Sequence, residues 1–223
     1  TVTKHNQTIS AQTAANPATK AVTKVQDMYP LSPMQEGLLF HALLSPTAGT
    51  YIPQIVLSFE GQHIESAVLK QAWEDAFIRH SILRTGFYWE QRDQPFQVVY
   101  RSTSTTWTDS AWIEQDWQDL SATEQKAKLQ VLLACNRNEP FNLNQPPLMR
   151  LTWINCGNGR YHLLWCYHHL ILDGWSASQL LKEVFQTYFV MMSDRTSAKR
   201  IHAPQLTSTK YSQYIAWLNQ QNT

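Results

Sequence analysis

Tyr161-His162-Leu163-Leu164-Trp165-Cys166-Tyr167-His168-His169-Leu170-Ile171-Leu172-Asp173-Gly174-Trp175-Ser176 runs from a strand pattern through a tight loop into a helix start. Tyr161, Leu163, Trp165 and Tyr167 form one alternating set, and Leu164 and Cys166 the other. Successive strand side chains point to opposite faces, so both faces of this strand are apolar or aromatic. Such a strand belongs in the middle of a covered sheet. The same alternation predicts that His168 and His169, at its end, face opposite layers.

Upstream, Arg160 to His169 pairs with Leu148 to Cys156 across Gly157-Asn158-Gly159, a tight-turn sequence. Ile55 to Glu60 alternates as a half-buried strand, and Phe87-Tyr88-Trp89 with Phe96 to Tyr100 reads as a hairpin. Residues 65–80 form an amphipathic helix, with Val68, Ala72 and Ala76 beside Leu69, Trp73 and Phe77. Three capping boxes start further helices, at Ser32 with Gln35, Ser121 with Glu124, and Ser176 with Gln179. In the first of these helices Pro33 suits the opening position, and Met34, Leu38 and Ala42 line one face. The second runs to about Asn136. The third covers 177–191, with Leu180, Leu181, Val184, Phe185, Tyr188 and Phe189 as a core stripe. Residues 1–25 read as a disordered linker and 193–209 as a polar loop. The fold class is α/β, with a mixed sheet covered by helices 65–80 and 177–191.

The 223 residues are 43% hydrophobic, enough for a sizeable core, and the formal charge of +1 gives no argument for nucleic acid. No apolar run approaches the ~20 residues that span a bilayer. Cys135, Cys156 and Cys166 lack metal-ligand spacing, and their odd number in hydrophobic contexts points to reduced core thiols in a cytoplasmic protein. Nine Trp and nine Tyr read as an aromatic core, Trp175 included.

Four motifs carry a resemblance. His168-His169-x-x-x-Asp173-Gly174 resembles the HHxxxDG motif of condensation domains of nonribosomal peptide synthetases. Ser32-Pro33-Met34-Gln35-Glu36-Gly37 resembles the first core motif of that family. Arg79-His80-Ser81-Ile82-Leu83-Arg84-Thr85-Gly86-Phe87 is similar to its second, RHxxLRTxF. Tyr211 to Trp217 resembles its fourth, with Gln213 where the family usually has Asp. Chloramphenicol acetyltransferase shares the His-Asp-Gly element and the fold, but not the other three motifs. The resemblance implies a chloramphenicol acetyltransferase-like lobe over 26–223, the N-terminal lobe of a two-lobed domain whose C-terminal lobe is absent. The motif context looks most like members that join two L-residues.

The implied reaction is amide formation between a donor acyl or peptidyl thioester and an acceptor aminoacyl thioester. Both substrates arrive on phosphopantetheine arms of upstream and downstream peptidyl carrier domains, and the adenylation domain of the module is a further partner. The lobe itself binds no cofactor and no metal, and has no nucleic-acid or membrane partner. In the family's pattern, His169 is the catalytic base or positioning group. His168 is structural, and Asp173 forms a structural ion pair with Arg84. Gly174 is a second catalytic candidate through its amide. Three readings compete with this one: an epimerisation domain, which the Ser-Pro-Met-Gln-Glu-Gly start argues against, a CoA-dependent acyltransferase, and a non-catalytic docking module for carrier domains. The single lobe is expected to fold alone but to be inactive without its partner.

Overall fold

The strand at 160–167 sits where its two apolar faces require. A computed structural model describes residues 24–44, 49–61, 63–102, 111–196 and 211–221. Its strands are β1 (Val25–Pro30), β2 (Gln54–Phe59), β3 (Thr85–Tyr88), β4 (Phe96–Tyr100), β5 (Trp112–Asp116), β6 (Met149–Gly157) and β7 (Arg160–Tyr167). The helices are α1 (Pro33–Leu44), α2 (Ser66–Arg79), α3 (Ala122–Asn138), α4 (Gly174–Thr196) and α5 (Tyr211–Gln221), with a 3₁₀ turn at Ser81–Arg84. β7 is an inner strand of a four-stranded sheet ordered β2-β7-β6-β5, antiparallel to both neighbours, while β5 runs parallel to β6. The sheet is therefore mixed. A second, antiparallel sheet is ordered β1-β4-β3.

The two alternating sets of β7 divide between two layers. Leu163, Trp165 and Tyr167 join Trp73 and Phe77 of α2 and Leu180, Val184 and Tyr188 of α4 in the main core. Trp165 and Trp73 meet edge to face with ring centroids 5.0 Å apart, a favoured aromatic arrangement. Leu164 and Cys166 face the opposite layer, where Leu132 and Leu133 of α3 cover them. The helix over 65–80 thus covers one face as expected, and α3 supplies the cover for the other.

Helices α2 and α4 are also tied by charge. Arg79 and His80, which close α2, both reach Glu183 of α4, with His80 Nε2 2.8 Å from Glu183 Oε2. Burial alone would raise the Glu183 carboxyl, but His80 and Arg79 together hold it below its ordinary value. This pair gives the opening Arg-His of the second motif a structural role.

Several expectations are corrected. Helix α4 starts at Gly174 and runs to Thr196, because Asp173 rather than Ser176 caps it. Asp173 Oδ1 accepts from Ser176 N–H at 2.7 Å, and Ala177 N–H closes the first helical bond onto Asp173 O. Trp175 is 82% exposed and not core. Phe189 is exposed and leaves the core stripe of α4, whereas Leu180, Val184 and Tyr188 keep it. In α1 the capping box turns Gln35 and Leu39 inward and leaves Met34 74% exposed. Cys135 is exposed, while Cys156 and Cys166 are buried and their thiols are pushed up by that burial. Of the stretch expected to be disordered, residues 1–23 lie outside the described residues, but Val25 opens β1. The polar loop at 193–209 is helical as far as Thr196, and the rest of it lies outside the described residues.

Gly86 of β3 marks a close approach. A Cβ there would stand 2.5 Å from the carbonyl oxygen of Asn144, and Phe87 N–H donates to Leu143 O beside it. Gly37 in α1 has nothing within 4 Å of a Cβ. Gly86→Ala is expected to lower stability by about 1–3 kcal/mol through overpacking. Gly37→Ala should raise it by about 0.5–1 kcal/mol. Urea unfolding of the two variants beside the parent checks both signs.

Candidate functional site

The ladder of β7 continues past the end of the strand. His168 N–H donates to Leu148 O at 2.9 Å on one side, and His169 N–H donates to Tyr51 O at 2.9 Å on the other. The backbone N–H groups thus alternate between the two neighbouring segments as far as His169, where a turn begins, and the two imidazoles differ in burial. His168 is 6% exposed, whereas His169 is half-buried.

His168 has a defined tautomer. Its Nδ1 accepts the Leu170 N–H at 3.1 Å, so the neutral ring carries its proton on Nε2. The ring packs beside Tyr51 and Phe141, with centroids 6.5 and 6.4 Å away. Burial first, and the neighbouring His169 second, push its pKa down to about 4. His168 also contributes to the wall of a cavity of about 380 Å³, together with Tyr51, Ile52, Trp89, Phe141 and Asn142. His169 is not among that cavity's walls. The neutral, buried His168 fits the structural role.

The loop after His169 folds back at once. Ile171 N–H donates to His168 O at 3.1 Å, and Leu170, Ile171 and Leu172 are all buried. Asp173 then caps α4 from an exposed position. The Ser176 N–H, followed by the Ser176 hydroxyl, holds its carboxyl below the ordinary range, with His169 acting in the same direction. Gly174 is exposed, and a Cβ there would meet nothing within 4 Å. Among the described residues nothing packs over it.

The expected ion pair of Arg84 with Asp173 is not formed. Arg84 is 5% exposed and turns to the C-terminal end of α2, donating to Phe77 O at 3.1 Å and Ile78 O at 3.2 Å. It also donates to the Gln26 side chain of β1 at 2.9 Å and to Tyr100 O at the end of β4. The last carbonyls of a helix lack intrahelical partners and carry the negative end of its dipole. They attract the guanidinium, while the N-terminal end of α4 takes the carboxylate. Burial lowers the Arg84 pKa, opposed by Tyr29.

Sequence reasoning placed Gln35 only as a cap. It is 4% exposed, and besides its capping bonds with Ser32 its Nε2 donates to Leu170 O at 3.2 Å, inside the His168–Asp173 loop. Nothing in the spacing of the first motif signals that long-range bond. Among the described residues no group of three or more His, Cys, Asp or Glu side chains is arranged to hold a metal ion.

The Condensation domain family matches residues 25–223. The chain belongs to the condensation-domain family of nonribosomal peptide synthetases. It is 37% identical over 199 residues to one of the linear gramicidin synthase proteins of Brevibacillus parabrevis, covering 89% of this chain and 4% of that one. To bacitracin synthase 1 of Bacillus licheniformis it is 31% identical over 199 residues, covering 89% of this chain and 4% of that protein. The starter condensation domain of rhizomide synthetase superposes with a TM-score of 0.71 at 19% identity, over 88% of this chain and 46% of that one. The first condensation domain of the calcium-dependent antibiotic synthetase, in complex with a substrate analogue, gives 0.74 at 16% identity, over 88% and 46%. These likenesses to solved structures establish the condensation-domain fold. The chain spans under half the length of the solved condensation domains and a few per cent of the synthetases.

His168 binds its proton in the unfolded chain below about pH 6.5 but in the folded chain only below about pH 4. Its contribution to stability is therefore complete above pH 6.5 and is lost as the pH falls toward 4. His168→Asn keeps an acceptor for Leu170 N–H but cannot titrate. Between pH 7 and 5 the parent should lose about 2 kcal/mol more stability than this variant, measured by urea unfolding at each pH.

The two separated charges give a second prediction. Arg84→Ala is expected to cost about 2–3 kcal/mol, because buried carbonyls lose a charged donor. Asp173→Ala should cost about 1 kcal/mol, as loss of a helix cap. The double variant should show the sum to within about 0.5 kcal/mol. A coupling above about 1 kcal/mol in the same unfolding assay would restore the direct pair.

Proposed function

We propose that this chain supplies the motif-bearing half of a condensation domain and that His169 acts directly on the acceptor amine. The supporting observation is the continued β7 ladder, which buries His168 as a neutral ring and leaves His169 half-open beside the Asp173 cap. In the proposed reaction the acceptor nitrogen attacks the donor thioester carbonyl. The new C–N bond forms, the C–S bond breaks, and the carrier thiol leaves. The nitrogen sheds one proton to a ring nitrogen of His169, which passes it to the departing sulfur so that the carrier leaves as its thiol. Such general-base help is worth roughly 10²–10⁴ in rate. A thioester is already activated, so holding the amine at the right distance counts as well.

Both substrates are read as arriving on phosphopantetheine arms of flanking carrier domains. A homologous solved structure is a four-domain nonribosomal peptide synthetase, which supports the presence of partner domains. The chain spans 46% of each of the two solved condensation domains cited above, and it is read here as one of two lobes that enclose the reacting groups together. Gly174 N–H, at the exposed start of α4, is the proposed donor to the developing oxyanion. No helix of the described residues is long and apolar enough to cross a membrane.

The test is single-turnover amide formation by the complete domain with both carrier-loaded substrates. His169→Ala should lower the rate by at least about 100-fold while the melting temperature stays near that of the parent. His168→Asn should act mainly on stability. Parent-like turnover by His169→Ala would remove His169 from the chemistry.

A further inference from the structure

Leu170 is 3% exposed and follows His169 directly. Its carbonyl lies in a loop, outside any strand ladder, and a buried carbonyl needs a donor. That donor is the side chain of Gln35, through Nε2 at 3.2 Å. Gln35 is itself clamped. Its Oε1 accepts from Ser32 N–H at 3.0 Å and from Gln97 Nε2 at 2.9 Å, and Gln97 Nε2 also donates to Pro30 O at 3.0 Å. Gln97 is fully buried in β4. One amide thus joins three separate parts of the fold: the start of α1, the middle of the small sheet, and the loop that carries His169.

The capping box explains only part of this arrangement. A cap requires Gln35 Oε1 and Ser32 Oγ. It does not require the Gln35 NH₂ group to reach a carbonyl 135 residues away. We propose that Gln35, held by Gln97, is a positioning residue that fixes the His168–Asp173 loop and so sets the pose of His169. This rests on the role given to His169 above. Gln35 touches no reacting atom in this scheme. It acts by holding the residue after His169, with the Leu170 N–H held in turn by His168 Nδ1.

Cap and clamp separate by substitution in the complete domain. Gln35→Glu keeps an acceptor for Ser32 N–H but lacks the NH₂ donor, and Gln35→Met keeps the shape without either function. Ser32→Ala removes the hydroxyl of the cap and leaves the Gln35 amide in place. The expected result is a kcat lowered about 10- to 100-fold in both Gln35 variants, as for a misplaced catalytic group, with KM for the carrier-loaded substrates nearly unchanged. Ser32→Ala should lower the melting temperature and keep kcat. Hydrogen exchange read on a peptide covering 168–173 provides an arm independent of turnover. It should accelerate in the Gln35 variants and not in Ser32→Ala, while β7 stays protected in all three. Parent-like loop exchange in both Gln35 variants, or an equal kcat loss in Ser32→Ala, would overturn the proposal. Should His169→Ala prove active, the reading of His169 falls, and the exchange arm still decides whether Gln35 holds the loop.

Discussion

Two backbone hydrogen bonds, from His168 to Leu148 and from His169 to Tyr51, extend the central strand beyond its last paired residue. The Ile171 N–H then closes a turn onto His168 O, so the chain leaves the strand at His169 and the two rings meet different surroundings. One ring enters the interior, where desolvation keeps it uncharged. The other remains within reach of solvent. Differing environments give two identical side chains different chemistry, with no contact between the rings required.

Helix ends organise the charges around that strand. The guanidinium of Arg84 closes the carboxyl end of α2, and the carboxylate of Asp173 opens α4. Each charge meets the end of opposite partial charge. A buried cation is costly unless hydrogen-bonded, and three backbone carbonyls plus the Gln26 side chain meet that need for Arg84. Because Gln26 belongs to β1 and Tyr100 to β4, the same group also joins the small sheet to α2. Glu183 does comparable work between α2 and α4.

Much of this was legible beforehand because the signals were local. The double-faced apolar strand, the Gly-Asn-Gly turn and the capping boxes at Ser32 and Ser121 all formed as read. Strands β1 and β5 were missed for a physical reason. β5 buries only Trp112 and β1 buries no residue, so neither shows a two-residue period. The start of α4 was misplaced because Asp173 and Ser176 are both good caps three residues apart. The pair expected between Arg84 and Asp173 failed because a family pattern carries no record of which helix end competes for each charge. The reach of Gln35 to Leu170 was illegible, since it joins residues 135 apart.

The sheet register has a consequence for how the chain is made. Among the described strands β2 pairs with β7 alone, and Phe59 pairs with Tyr161, roughly a hundred residues later. At a synthesis rate of roughly 5–20 residues per second, β2 waits on the order of 5–20 seconds with an unpaired edge. β1 likewise waits for β4. The early part of this chain emerges as unsatisfied edges; β4 completes β1, and the later His-bearing hairpin completes β2. The segment that bears His168 and His169 is thus also the one that ends the long wait of β2.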